Sequence, residues 1–138
     1  KSRFSSPELI YEKAKQFPDV PIILGHLSTG PKYCHEEATK IILESIEKET
    51  ATLYVDISWV DLDDVILLIE ALKNTSKGDF TNRIMWASDA PVGEHNQKKE
   101  IYDENLELFK AKIMKHFNDA ELLENLLYRN AKNLFKLF

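Results

Sequence analysis

Polar residues follow three short apolar segments of this sequence, at points where side chains could carry out chemistry. The first segment ends in Gly25-His26, the second in Asp56-Ile57-Ser58, and the third in Ser88-Asp89-Ala90-Pro91. Imidazole and carboxylate groups both bind divalent cations and both transfer protons. His26 and Asp89 are therefore candidates for a metal site or for an acid-base pair.

Each of these residues also has a structural interpretation. A single histidine at a strand end commonly makes a structural hydrogen bond, and an aspartate before Ala-Pro often caps the next turn. Ser58 and Ser88 are interpreted as backbone-capping hydroxyls rather than nucleophiles, because neither lies in a Gly-x-Ser-x-Gly motif. The residues taken one by one leave both interpretations open.

The remaining histidines and the single cysteine are weaker candidates. His35 is expected at a solvated helix start, whereas His95 follows the third segment closely enough to line a pocket. His116 is expected near a helix end, where the helix dipole favours a cation. Cys34 is interpreted as a small buried hydrophobic residue. Trp59 and Trp86 are expected in core or rim packing.

The elements that position these residues alternate between helical and strand patterns. Such alternation predicts βαβ units and a parallel sheet, in which the carboxyl ends of the strands meet at one rim. The first strand is expected to be buried on both faces, and Asn118 is expected to cap a late helix. The predicted strands span 21–26, 51–58 and 83–88, and the main helices span 7–17, 35–48, 61–74 and 101–117.

Apolar residues recur at helical spacing in the first three predicted helices, so each should bury one stripe. The expected stripes are Leu9, Ile10, Ala14 and Phe17, then Ala38, Ile41, Ile42 and Ile46, and then Val65, Leu68, Ile69 and Leu72.

Composition narrows the classes of partner. The chain has 138 residues, of which 43% are hydrophobic, with 18 basic and 23 acidic residues and a formal net charge of -5. Without a basic cluster, neither nucleic acid nor an anionic membrane surface is an expected partner. A single cysteine excludes an internal disulfide framework and indicates a reducing, cytoplasmic location.

Residues 1–138 are interpreted as one segment, without a linker or an internal repeat. Three parallel strands are few for a sheet, and such a sheet should leave its edges bare. The sequence also begins without methionine, so we expect a piece of a longer protein whose edges are covered by further polypeptide or by another copy.

Four motifs in this order resemble the carboxyl-terminal part of a metal-dependent hydrolase of the amidohydrolase superfamily. They are FPDVPIILGHLSTG, ATLYVDISWV, RIMWASDAPVG and the closing NAKNLFKL. The resemblance is to the amidohydrolase-related family, which also contains aminocarboxymuconate-semialdehyde decarboxylase. It implies an α/β fold that is a partial TIM-type (β/α) barrel, with parallel strands six to eight and their flanking helices.

The resemblance also implies roles for particular residues. Asp89 matches the aspartate at the end of strand eight, which ligates or faces the metal and takes the proton of the attacking water. His26 matches the histidine at the end of strand six, which polarises the substrate or activates that water. Asn130 and Ala131 match a closing helix whose role is packing. The implied cofactor is a divalent metal, with zinc expected, and the implied reaction hydrolyses a C–N or C–O bond of a small polar substrate.

The chain departs from the family pattern in three ways. Ser28 and Ala87 stand where the family commonly has glycine, and no His-x-His motif occurs among the four histidines. Asp89 and His26 are thus two candidate metal ligands where a catalytic zinc usually has three from protein. A decarboxylase of the same family is one alternative. Another is a catalytically incomplete fragment with a structural role, which associates with itself or with the missing half of the barrel.

Overall fold

A computed structural model of the chain describes residues 6–28, 35–88 and 99–136. Its centre is a three-stranded parallel sheet in the order β1-β2-β3, which confirms the predicted arrangement. Ile22 of β1 lies opposite Leu53 of β2, and Val55 of β2 lies opposite Ile84 of β3. The strands are shorter than predicted and span Ile22–Leu24, Leu53–Asp56 and Ile84–Met85.

Helices connect and flank the strands. Each of the two strand-to-strand crossovers contains one helix of three or more turns, as parallel pairing requires. The helices are α1 (Pro7–Ala14), α2 (His35–Lys48), α3 (Leu62–Lys73), α4 (Lys99–Phe117), α5 (Ala120–Glu124) and α6 (Asn130–Phe135), with a π-helical segment (Asn125–Arg129) between the last two. No helix of the described ranges is long and apolar enough to cross a membrane.

One face of the sheet packs into a core to which helices α2 and α3 contribute most of the helical residues, together with residues of α1, α4, α5 and the π-helical segment. Along β2, Leu53 and Val55 are buried, and the residues that follow each of them, Tyr54 and Asp56, are half-buried. The side chains of β2 therefore alternate between two faces of the sheet. The predicted stripes of α2 and α3 are both confirmed. All eight side chains are buried: Ala38, Ile41, Ile42, Ile46, Val65, Leu68, Ile69 and Leu72.

The stripe predicted for α1 is wrong in part. Leu9 and Phe17 are exposed, at 47% and 59%, and the buried residues of α1 are Pro7, Tyr11 and Ala14. Tyr11 tolerates burial because its hydroxyl lies 2.6 Å from Thr50 Oγ1. The helix ends at Ala14, so Phe17 never joins the helical face that its spacing suggested.

The expectation that β1 is buried on both faces is also wrong. Leu24 is 2% exposed, but Ile23 is 38% exposed. Ile23 lies opposite Tyr54 in the register, on the face of the sheet that turns away from α2 and α3. On that face the Tyr54 ring stacks under the Arg83 guanidinium, whose carbon lies 4.6 Å from the ring centre.

The two edges of the sheet differ, which corrects the expectation of two bare edges. At β3, the Trp86 amide donates to the Leu126 carbonyl at 2.9 Å, and the Asn130 side-chain amide donates to the Ile84 carbonyl at 2.8 Å. The carboxyl-terminal helices therefore take the place of a neighbouring strand there. At β1, no strand within the described ranges pairs with the outer edge.

The late helix cap lies one residue beyond its predicted position. Asp119, not Asn118, caps α5, because its carboxylate accepts the Leu122 amide at 2.9 Å. Asn118 instead has φ 49°, the left-handed conformation that ends α4. Asparagine tolerates this conformation better than most residues do, which explains its place between the two helices.

Candidate active site at the carboxyl ends of the strands

The chain leaves β1 through a left-handed turn, Gly25–Ser28. Its three non-glycine residues all have positive φ: 53° at His26, 46° at Leu27 and 56° at Ser28. Each such residue costs on the order of 1–2 kcal/mol in an L-amino-acid chain, so surrounding contacts must hold the turn. One of these contacts is the Leu27 side chain, which is fully buried in the core.

Asp56, the last residue of β2, makes a second contact that stabilises this turn. Its Oδ1 atom accepts the His26 amide at 3.2 Å and the Ser58 amide at 3.1 Å. One carboxylate oxygen thereby joins the turn after β1 to the turn after β2. The two strand ends meet because the strands are parallel neighbours.

The His26 ring lies against Ser58. Its Nδ1 atom is 2.7 Å from Ser58 Oγ and 3.1 Å from the Ser58 carbonyl oxygen. The Ser58 hydroxyl in turn makes a short hydrogen bond to Asp56 Oδ1. The direct distance from His26 Nδ1 to Asp56 Oδ1 is 3.9 Å, so Ser58 bridges the imidazole and the carboxylate.

Part of the predicted rim is thus assembled, and part falls outside the described residues. The structure brings His26, Asp56 and Ser58 together. Asp89, His95 and Cys34 fall outside the described residues, so their assigned roles remain predictions. The catalytic and metal-binding roles assigned to His26 likewise remain predictions.

A cleft of about 720 Å³ lies next to this network, between the loop after β2 and helix α4. Its size is within the usual range for small-molecule sites. Ser58 and Ser88 line it, together with Trp59, Trp86 and Lys112. His26 itself is not among the lining residues, and the Ser58 side chain connects the histidine to the cleft. Trp59 is 66% exposed, so of the two expected positions it takes the rim.

The expectation of a solvated His35 is wrong. The residue is 8% exposed, and its Nδ1 atom lies 2.8 Å from Asp64 Oδ2 at the start of α3. The spacing of His35 from Ala38 and Ile42 continues the buried stripe of α2, and this signal in the sequence predicts burial. The charged residues that follow His35 indicated a solvated helix start instead.

The acidic start of α3 is structural in the described residues. Asp61 caps the helix by accepting the Asp63 amide at 2.8 Å, as the predicted helix start requires. Asp64 pairs with His35, and Asp63 forms a 2.7 Å ion pair with Lys112. All three carboxylates therefore have protein partners.

The donor types at the rim suit a divalent metal, but their number is small. An imidazole nitrogen and carboxylate oxygens are both zinc ligands. Within residues 6–28, 35–88 and 99–136, no three His, Cys, Asp or Glu side chains come together as a metal site would require. These ranges alone do not complete a metal centre.

Comparison with known proteins identifies the family of this chain. A family model described as amidohydrolase matches residues 1–137, nearly the whole chain. The chain belongs to the amidohydrolase family, as the four sequence motifs predicted. Searches of curated proteins and of solved structures found no significant match.

Proposed function

We propose that this chain carries strands six to eight of a TIM-type (β/α) barrel in a metal-dependent hydrolase. The substrate would be a small polar molecule, cleaved at a C–N or C–O bond by a metal-activated water. One observation carries the proposal: in a chain of the amidohydrolase family, Ser58 and Asp56 hold His26 at the carboxyl end of β1. Parallel α/β barrels form their active sites at that end of the strands.

The proposal assigns two residues to the reaction. Asp89 acts as general base and takes the proton of the attacking water, and His26 polarises the substrate or relays a proton. When bound, a divalent cation, with zinc expected, lowers the pKa of water and makes it nucleophilic at neutral pH. His26 and Asp89 are the candidate ligands, and further ligands would come from another segment or another copy.

The same shortage of ligands, together with an outer edge of β1 that pairs with no strand of residues 6–28, 35–88 and 99–136, leads us to propose a protein partner. The Ile22 amide donates to the Thr52 carbonyl at 2.9 Å, and alternation along a parallel strand turns the peptide groups of Ile23 outward. Such an edge can pair with another strand. We expect either a homo-oligomer or association with the rest of the barrel, and a stable monomer of this chain by light scattering would contradict both.

The decisive experiment measures metal and turnover in the longest form that the gene encodes. The protein is purified without chelator, its metal content is determined by elemental analysis, and small carboxylate-bearing amides, esters and lactones are offered as substrates. We expect a bound divalent metal and hydrolysis that a chelator abolishes. Release of CO₂ from a carboxylate substrate without hydrolysis would instead identify the decarboxylase of the same family. Metal-free protein without turnover would overturn the proposal.

A pair of histidine variants tests the assignment of His26. His26→Ala should abolish most of the turnover, whereas His116→Ala should not. His116 is a suitable control because its Nε2 atom pairs with Glu70 at 2.8 Å on the outside of α3 and α4, away from the strand ends. If His26→Ala kept as much turnover as His116→Ala and the unaltered protein, His26 would be structural.

A further inference from the structure

We propose that Asp56 and Ser58 are positioning residues that hold His26 in the tautomer with its hydrogen on Nδ1. The importance of this tautomer for catalysis rests on the function proposed above, but the tautomer itself follows from hydrogen-bond chemistry. The proposal concerns two residues for which the family resemblance implied no role.

The Asp56 carboxylate is the fixed acceptor of the network. Backbone amides can only donate, and both the His26 and the Ser58 amides point at Asp56 Oδ1. The short contact between Asp56 Oδ1 and Ser58 Oγ therefore requires the serine to donate its hydroxyl hydrogen to the carboxylate. Ser58 has a single hydroxyl hydrogen, and this contact uses it.

The tautomer of the imidazole follows from the direction of the Ser58 hydroxyl hydrogen. With its hydrogen directed at Asp56, the Ser58 hydroxyl can only accept from His26 Nδ1, 2.7 Å away. The Ser58 carbonyl oxygen, 3.1 Å from the same nitrogen, is also only an acceptor. Both neighbours thus require hydrogen on Nδ1, and in the neutral ring the lone pair lies on Nε2. A histidine that relays a proton or polarises a substrate from Nε2 needs this arrangement.

Asp56 acts on the main chain of His26 as well as on its ring. The carboxylate accepts the His26 amide within the left-handed turn, so one side chain orients the backbone and, through Ser58, the imidazole. The side chains of His26 and Asp56 are 38% and 22% exposed. At such exposure water can compete for the ring, and a bridging hydroxyl is what keeps the imidazole in one orientation.

The tautomer can be measured directly by ¹⁵N NMR of the histidine rings in the full chain, without metal or substrate. In the unaltered protein we expect His26 Nδ1 to show the shift of a protonated ring nitrogen and Nε2 that of an unprotonated one. Ser58→Ala should lower the ratio of the Nδ1–H to the Nε2–H form by about threefold to tenfold, the effect of losing one hydrogen bond. Asp56→Ala should lower it too, because without the Asp56 acceptor the Ser58 hydroxyl is free to donate to Nδ1.

Ser45→Ala is the matched control. Ser45 is as buried as Ser58, but its hydroxyl donates to the Ile42 carbonyl within α2, so the His26 ratio should not change. An Nε2–H form in the unaltered protein would overturn the proposal. So would an unchanged ratio in both Ser58→Ala and Asp56→Ala, and the second variant decides between the outcomes should the first fail to fold.

The measurement also separates this proposal from the proposed function. If the ratios change as expected while no substrate is turned over, the hydrolase assignment fails and the positioning of His26 stands. If the enzyme is active and the ratios do not change, the positioning fails and the hydrolase assignment stands. In an active enzyme, Ser58→Ala should lower kcat rather than raise KM, because Ser58 orients a reacting group.

Discussion

At both ends of the parallel sheet, polar side chains make hydrogen bonds beside the apolar core. At the carboxyl end, His26, Asp56 and Ser58 form a network that includes a left-handed turn and a half-exposed imidazole. At the amino end, Asn130 is 5% exposed and donates to the Thr81 and Ile84 carbonyls at 2.9 and 2.8 Å. The first network holds the imidazole that we propose takes part in the reaction, and the second closes the edge of a strand.

Under the proposed function, the same kind of bond serves chemistry at one end of the sheet and stability at the other. The Asn130 amide donates one hydrogen bond to the Ile84 carbonyl and another to the Thr81 carbonyl, which also accepts the Ile84 backbone amide. Nothing reactive is held by these bonds. At the rim the bonds end on the Nδ1 atom of an imidazole. Barrel enzymes show the same division between the two ends of their strands.

The largest effect that we expect concerns Asp89, which the proposed function assigns as general base. In the active protein, Asp89→Asn should reduce kcat by about 10²-fold or more, because an amide cannot accept the proton of the attacking water. Steady-state kinetics on the best substrate would measure it. Asp63→Asn is the control, since Asp63 is an exposed acid beside the cleft that pairs with Lys112. Unchanged turnover in Asp89→Asn would sink the base assignment.

The next effect belongs to the amino end of the sheet. Asn130→Ala should lower the free energy of unfolding by about 2 kcal/mol, because the Ile84 carbonyl loses the Asn130 donor and the Thr81 carbonyl keeps only the Ile84 amide. Urea denaturation followed by circular dichroism would give the value. Asn133→Ala, an exposed asparagine one helical turn further on, should change it little. Equal stability of the two variants would mean that Asn130 does not close the edge of β3.

A smaller effect on stability is expected at the rim. The rim residues should matter more for turnover and less for stability than Asn130. Ser58→Ala should cost about 1 kcal/mol of unfolding free energy, since it removes one hydroxyl and leaves the Ser58 amide bonded to Asp56. The same urea experiment applies. Should Ser58→Ala prove more destabilising than Asn130→Ala, the rim network would be a structural tie and the contrast between the two ends would be lost.

The smallest effect concerns Asp119, away from both networks. The backbone amide of Leu122, and after it the Lys73 ammonium, lower the pKa of the Asp119 carboxyl below its ordinary value of about 4. A carboxyl with a lowered folded-state pKa stabilises the fold above its unfolded-state pKa, and this contribution is lost as pH falls through the folded-state value. Asp119→Asn should therefore lose less thermal stability than the unaltered chain between pH 5 and pH 3, values that bracket a pKa of about 4. An identical loss in both proteins would contradict this.

Much of the fold could be predicted because its signals are local and periodic. The stripes of α2 and α3 follow from 3.6-residue spacing, and helices of this length between strands favour a parallel sheet. The same reasoning failed at Phe17, because α1 ends before the residue is reached. It failed at His35, because charged neighbours concealed its place in the buried stripe. Where an element ends and which side it buries depend on its packing partners.

The sequence by itself determined the family, the alternation of helices and strands, and which residues follow the strands. Only the tertiary structure decided how those residues are connected. The link from His26 to Asp56 through Ser58 joins residues about 30 positions apart, and the cover over β3 comes from Leu126 and Asn130, more than 40 positions away. The physical reason is that hydrogen-bond direction and backbone strain depend on a few tenths of an ångström between distant segments. No local pattern of residue types carries that information.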